Sequence, residues 1–303
     1  MTVNIDGMRI YYRDEGSHHE DRPALVLLHG WGSNTELFDG IYRLASPKYR
    51  VIGPDFPGAG QSEEPAEPMD LDDYVSFVEK FLAAAAPEEQ EMIFLGHSHG
   101  GRVMIRLAAR RARAAEAGDS EGGSADSARA AEAREPGGNS TDLASTEPVN
   151  TISGSFRITS MILVDSAGIV PAKTGEQSRK TARYKRYKAI LTKSGLTRLF
   201  PGALDALQKK FGSADYAAAS PVMRQTMVRV VNTDLTDEMP SVKMPVLLIW
   251  GDADTATPIA DGKRMEELMP EAGLAVIPGA GHFSFLDNPV LFGRILASFL
   301  KIG

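Results

Sequence analysis

The chain has 303 residues, 43% apolar and 24% charged, enough for one large α/β domain or a core that carries a smaller cap. Its net charge of −7 speaks against wholesale nucleic-acid binding, and the absence of cysteine excludes disulfides, thiolate metal sites and a cysteine nucleophile. No run approaches the length of a membrane span, and the opening MTVNIDGMRIYY lacks the basic-then-apolar pattern of a secretory signal, so the expected setting is cytoplasmic.

The first sixteen residues predict a hairpin. TVNI and MRIYYRDE flank Asp6-Gly7, a dipeptide that suits a two-residue turn with positive φ. Short apolar runs then recur, each closed by Gly, Ser or Asp: ALVLLHG (24–30), VIGPD (51–55), MIFLGHS (92–98), ITSMILVDS (158–166), VLLIWGD (246–252) and LAVIPG (274–279). Runs that are apolar throughout, not alternating, predict strands buried on both faces of a largely parallel sheet. Helical spacing separates them. Leu71, Tyr74, Val75 and Val78 mark one helix, the Ala/Arg/Leu-rich segment from Ser98 to about Ala117 a second, and NPVLFGRILASFL a third. Strands alternating with helices predict a doubly wound α/β sheet.

Two segments interrupt the alternation. Residues 118–155 contain only Leu143, Val149 and Ile152 as large aliphatics, too few to offset the entropy of ordering, and are expected to be disordered or loosely helical. This insertion should leave the sheet at the strands' N-terminal edge, away from the C-terminal edge where open α/β sheets bind ligands. Residues 171–240 leave on the ligand side and are expected to form a helical cap over the core of residues 1–170 and 241–303. Within the cap, residues 173–210 hold eleven Lys or Arg against Glu176 and Asp205. That charge suits either a solvated face or a docking surface for an anionic substrate, an acyl carrier or acidic headgroups. Tyr184, Tyr187 and Leu191, at helical spacing inside it, suit pocket lining and cap core equally.

Ser98 sits between Gly96 and Gly100 where a strand turns into a helix. A neutral serine hydroxyl attacks a carbonyl only with an imidazole to take its proton, an acid to orient that imidazole and donors for the oxyanion. Each can be found just after a predicted strand. Asp254 lies in IWGDADTATP, His282 in PGAGHFSFLDNP, and HGWG (29–32) offers the backbone N–H of Trp31 beside that of His99, the residue after the serine. The bland alternatives are a helix-capping serine and a buried histidine bonded to backbone.

Five motifs in order (HGxG at 29–32, DxPGxGxS at 55–62, GHSxGG at 96–101, GDxDxxxP at 251–258 and GxGHFxFLDxP at 279–289) make the sequence similar to the α/β-hydrolase superfamily over nearly its whole length. The resemblance implies that fold, with a mostly parallel sheet, helices on both faces and a helical cap, and a serine hydrolase with the triad Ser98, Asp254 and His282. It prefers Asp254 to Asp252, and leaves Asp165 as the position some members use. It implies no cofactor and no metal. The leading expectation is an esterase acting on a small-molecule carboxylic ester, and HGWG is similar to the loop of methyl-ester esterases whose acyl chains are carrier-bound. Carbon–carbon hydrolases of ring-fission products stand second, since they often carry Asn where this chain has His97. A ligand receptor with slow turnover stands third. His29, Asp55 and Ser62 are expected to support loops, His97 to pack, and His18-His19 to be an exposed pair without the partner spacing of a metal site; for His99 the backbone N–H matters whatever its ring does, and a ring facing the pocket that tunes substrate choice is the lesser alternative.

Overall fold

Asp6 and Gly7, at φ of 51° and 83°, turn the chain between β1 (Thr2–Ile5) and β2 (Met8–Glu15), as the hairpin signal requires. The computed structural model describes residues 1–122, 156–170 and 214–302, together with 183, 186 and 189. The six apolar runs all form strands: β3 (Ala24–Leu28), β4 (Val51–Pro54), β5 (Glu91–His97), β6 (Arg157–Val164), β7 (Val246–Gly251) and β8 (Ala272–Ile277). The eight strands make one sheet in the order β1-β2-β4-β3-β5-β6-β7-β8. Only β2 runs against its neighbours, and the other pairs are parallel.

Burial on both faces explains why those runs do not alternate. Val26 and Leu28 point into one core layer with Phe94, Met104 and Leu107, while Leu25 and Leu27 point into the other with Tyr42, Phe292 and Leu296. The described helices are α1 (Asp39–Ala45), α2 (Leu71–Ala85), α3 (His99–Gly122), α4 (Ala214–Ala218), α5 (Pro221–Val231), α6 (Ile259–Leu268), α7 (Ser284–Asp287) and α8 (Pro289–Phe299). Helices α2, α3 and α6 cover the first layer, α1 and α8 the second. Two of them are faint in the sequence, because α1 is one short amphipathic stretch and α6 buries only Gly262 and Met265.

Helix α2 starts at a reciprocal cap. The Asp70 carboxylate accepts from the backbone N–H of Asp72 and Asp73, and Asp73 returns the bond to Asp70 N–H. Helix α3 runs to Gly122, past the Ala117 expected from composition, since no proline or cap stops it earlier. Residues 118–122 of the insertion are thus helical, and 123–155 lie outside the described residues. The chain re-enters at Phe156, whose carbonyl accepts from Arg111 Nη2 at 2.6 Å, and Arg157 pairs with Glu91 at the start of β5. That is the N-terminal edge, on the side expected for the insertion.

His18 of the exposed loop pair His18-His19 makes one long-range contact. His18 Nδ1 lies 2.8 Å from the buried carboxylate of Glu89, which also bonds Arg50 at 3.2 Å. The partner is 71 residues away, so no local spacing could reveal it.

Candidate active site

At the C-terminal edge the end of β5 turns sharply into α3. Ser98 stands on that turn at φ 52°, a left-handed conformation that non-glycine residues rarely adopt and that marks a position held by its surroundings. Its N–H donates to Val164 O on β6, and its carbonyl accepts from Ala167 N at 3.0 Å. The flanking glycines are required by close approach: a Cβ on Gly100 would lie 2.0 Å from Leu28 O, and one on Gly96 2.3 Å from Met104 Sδ. The turn therefore presses against the end of β3, next to HGWG.

His282 comes from the loop between β8 and α7 and Asp254 from the loop between β7 and α6. His282 Nε2 is 3.0 Å from Ser98 Oγ, and its Nδ1 is 2.8 Å from Asp254 Oδ2. The geometry sets the proton positions. Nδ1–H donates to the carboxylate, which leaves the Nε2 lone pair facing the serine hydroxyl. Asp254 Oδ1 accepts from Ala256 N and Thr257 N, at 2.7 and 3.0 Å, and the Thr257 hydroxyl approaches Oδ2 at 2.7 Å and His282 Nδ1 at 3.2 Å. Burial pushes the Asp254 carboxyl up, but hydrogen bonds from His282 and Thr257 outweigh that and hold it below its ordinary value. Thr257 was not legible as part of the site; its only signal is its place three residues after the aspartate.

The other two aspartates bond elsewhere. Asp165 is fully buried, its Oδ1 accepting from Gly251 N at 2.8 Å and its Oδ2 from Ser284 N at 3.0 Å. It braces the two loops that carry Asp254 and His282. Asp252 accepts from Gly279 N at 2.6 Å.

The backbone N–H groups of Trp31 and His99 donate to no acceptor among the described residues, and their rings meet edge to face at 5.8 Å. His29 supports its loop as expected: Nδ1 donates to Gly30 O at 2.7 Å and Nε2 accepts from Phe56 N at 2.9 Å. Asp55 accepts from Thr35 N and Gln61 N, while the Ser62 hydroxyl donates to Asp55 O.

His97 does more than pack. It points away from Ser98, and its Nε2–H donates to the backbone carbonyl of His282 at 2.7 Å, with the two rings 4.9 Å apart. Burial and the neighbouring His282 lower its pKa to about 3, so it is neutral, and its buried Nδ1 has no partner. The residue before the serine thus ties down the loop that carries the imidazole.

His99 lines a cavity of about 460 Å³, together with Gly30, Trp31, Phe56, Tyr74 and Met223. That volume suits a small organic ligand. The cavity reaches the residues that carry the two free N–H groups, whereas Ser98 and His282 are not in its wall. Tyr184, Tyr187 and Leu191 lie outside the described residues. Of the basic residues in segment 173–210 only Arg183 and Arg186 are described, as exposed helical positions. Among the described residues no helix is long and apolar enough to cross a membrane.

Among relatives, a pimeloyl-[acyl-carrier protein] methyl ester esterase of Aeromonas hydrophila is 26% identical over 92% of this chain and 95% of its own. A 2-(acetamidomethylene)succinate hydrolase of Mesorhizobium japonicum is 23% identical over 98% and 94%. The solved enol-lactonase of Burkholderia xenovorans superposes with a TM-score of 0.65 at 20% identity, covering 99% of this chain and all of that one. A sequence model of the alpha/beta hydrolase family matches residues 25–294, which takes in every strand from β4 to β8 and all three loops that meet at Ser98. With the sheet order and the strand-turn-helix at Ser98 already in place, that match over most of its length makes the chain a member of the alpha/beta hydrolase family.

Proposed function

We propose that the protein is a serine hydrolase that cleaves a carboxylic ester through an acyl-enzyme. The observation that carries this reading is a single imidazole hydrogen-bonded at once to Ser98 Oγ at 3.0 Å and Asp254 Oδ2 at 2.8 Å. In the proposed mechanism Ser98 attacks the ester carbonyl while His282 Nε2 takes its proton, and Asp254 steadies the imidazolium that forms. The oxyanion is held by the N–H groups of Trp31 and His99, aided by the positive end of α3. His282 then gives the proton to the leaving alcohol. A water activated by the same nitrogen releases the acid and restores Ser98. A single oxyanion donor is worth about 3 kcal/mol in such sites, so unpaired donors beside the hydroxyl matter as much as the base.

Residues 171–240 serve in this reading as a helical cap. Their described part supports it, since Ala218, Ala219, Ser220 and Met223, on and between α4 and α5, wall the cavity from above the HGWG loop. Arg102 Nη1 holds α5 through Val230 O at 2.8 Å, and Thr226 Oγ1 accepts from Met69 N at 3.0 Å. A carrier-bound acyl substrate fits the name of the Aeromonas relative, and the positive charge of residues 173–210 has the sign that would face an acidic carrier.

The test is Ser98→Ala. Hydrolysis of p-nitrophenyl esters and labelling by a fluorophosphonate probe should both disappear. Labelling that persists on another serine overturns the assignment.

A further inference from the structure

The cavity beside the HGWG loop has an aromatic wall in which one buried imidazole lacks any partner. His99 is 5% exposed, and neither of its ring nitrogens makes a hydrogen bond. Tyr74, Phe56 and Trp31 hold the ring edge-on or tilted, at centroid distances of 4.7, 5.4 and 5.8 Å, so it is fixed by packing and not by polar contacts. Tyr74 lines the same cavity and brings a phenolic hydroxyl to its wall. Buried polar groups are nearly always paired. An imidazole with both nitrogens unpaired on a cavity wall, next to the candidate oxyanion donors, calls for a partner the chain does not supply.

The protonation state of the ring says what kind. Arg102, one turn along α3, is buried. It donates through Nη1 to Val230 O, its Nε is unpaired, and no carboxylate lies in ion-pair range among the described residues. Burial and this guanidinium hold the His99 ring neutral, with one N–H donor and one lone pair. A neutral N–H and a phenolic O–H favour an electron-rich oxygen over a plain hydrocarbon chain, while Glu64, the carboxylate in the same wall, accepts from the Ser220 hydroxyl at 2.6 Å.

We propose that His99 determines substrate choice, its imidazole and the Tyr74 hydroxyl hydrogen-bonding a second oxygen acceptor, keto or carboxylate, on the part of the ester that enters the cavity. This rests on the esterase reading above and names its substrate class: an ester with a further carbonyl-type oxygen a few atoms from the scissile bond.

The experiment compares near-isosteric pairs. On the acyl side these are p-nitrophenyl pentanoate and p-nitrophenyl 4-oxopentanoate, with mono-p-nitrophenyl succinate as the charged form. On the alcohol side they are butyl acetate and 3-oxobutyl acetate. In one of the two series the wild type should favour an oxygen-bearing ester by about 10- to 100-fold in kcat/KM, the range expected when a buried polar site is left unpaired by the plain analogue. The preference should collapse in His99→Phe, fall in part in Tyr74→Phe and persist in His99→Gln, which keeps a donor and an acceptor. Fluorophosphonate labelling of Ser98 shows that each variant retains a formed site; should His99→Phe fail it, Tyr74→Phe and His99→Gln carry the comparison. Equal kcat/KM within every pair for the wild type overturns the proposal, as does a preference that survives both His99→Phe and Tyr74→Phe. Failure of the wild type to hydrolyse any of the five esters instead overturns the esterase reading, and this inference with it.

Discussion

A carboxylate orients an imidazole only when its other oxygen is satisfied and its backbone is pinned. Asp254 meets both conditions, because Ala256 N and Thr257 N fix Oδ1 and leave Oδ2 toward His282. Asp165 has both oxygens on backbone N–H groups, and Asp252 reaches only Gly279. Steady-state kinetics should therefore separate the three. Asp254→Asn should lower kcat by about 10³- to 10⁴-fold, because an amide favours the wrong imidazole tautomer. Asp252→Asn should stay within about threefold, as a change remote from the reacting atoms. The reverse ranking would move the acid. The motif GDxDxxxP pointed to Asp254, but only the hydrogen bonds disqualify Asp165. His97 was harder still. A histidine before the serine reads as packing, and its bond to the His282 carbonyl spans 185 residues.

At the level of elements, the site depends on helices whose first turns reach the cavity. Tyr74 sits one turn into α2, just after the reciprocal cap of Asp70 and Asp73. Replacing Asp70 with Ala leaves two backbone donors without a side-chain acceptor and should cost about 1 kcal/mol in urea unfolding, with m unchanged. An unchanged midpoint would mean that tertiary packing alone holds the turn. The helix was legible as an apolar-periodic run from Leu71, whereas its reciprocal cap was not. The sheet itself was the most legible element of all. Six apolar runs became six strands, because a strand covered by helices on both faces leaves no polar position to blur the signal.

At the level of the molecule, the fold buries three histidines, His29, His97 and His99, and burial holds each below its ordinary value. The sign follows directly. Unfolded, each takes up a proton below about pH 6.5, whereas folded His97 does so only near about 3, His99 well below its ordinary value and His29 below it. Stability is unaffected above pH 6.5 and falls as pH drops below it, by about 1.4 kcal/mol per unit for each ring. Asp165, Asp261 and Glu238 are raised by burial and act in the opposite sense in the carboxylate range, so the histidine signal is read above about pH 5. Urea unfolding at intervals from pH 7.5 to 5 should show stability falling with pH, with a slope reduced by about one proton in His97→Gln. A flat profile would show that the folded chain takes up these protons too.

The sequence by itself determined the strand positions, the hairpin, the turn at Ser98 and the order in which Ser98, Asp254 and His282 follow their strands. Each of these is written in a short local pattern of apolar runs, glycines and turn residues. The tertiary structure alone decided which aspartate meets the imidazole, that Thr257 and His97 brace it, and that the His99 ring is left without a partner. Those outcomes depend on side-chain direction where distant segments meet, and no spacing along a single chain encodes the angle at which two loops, joined only through a twisted sheet, bring their polar atoms together.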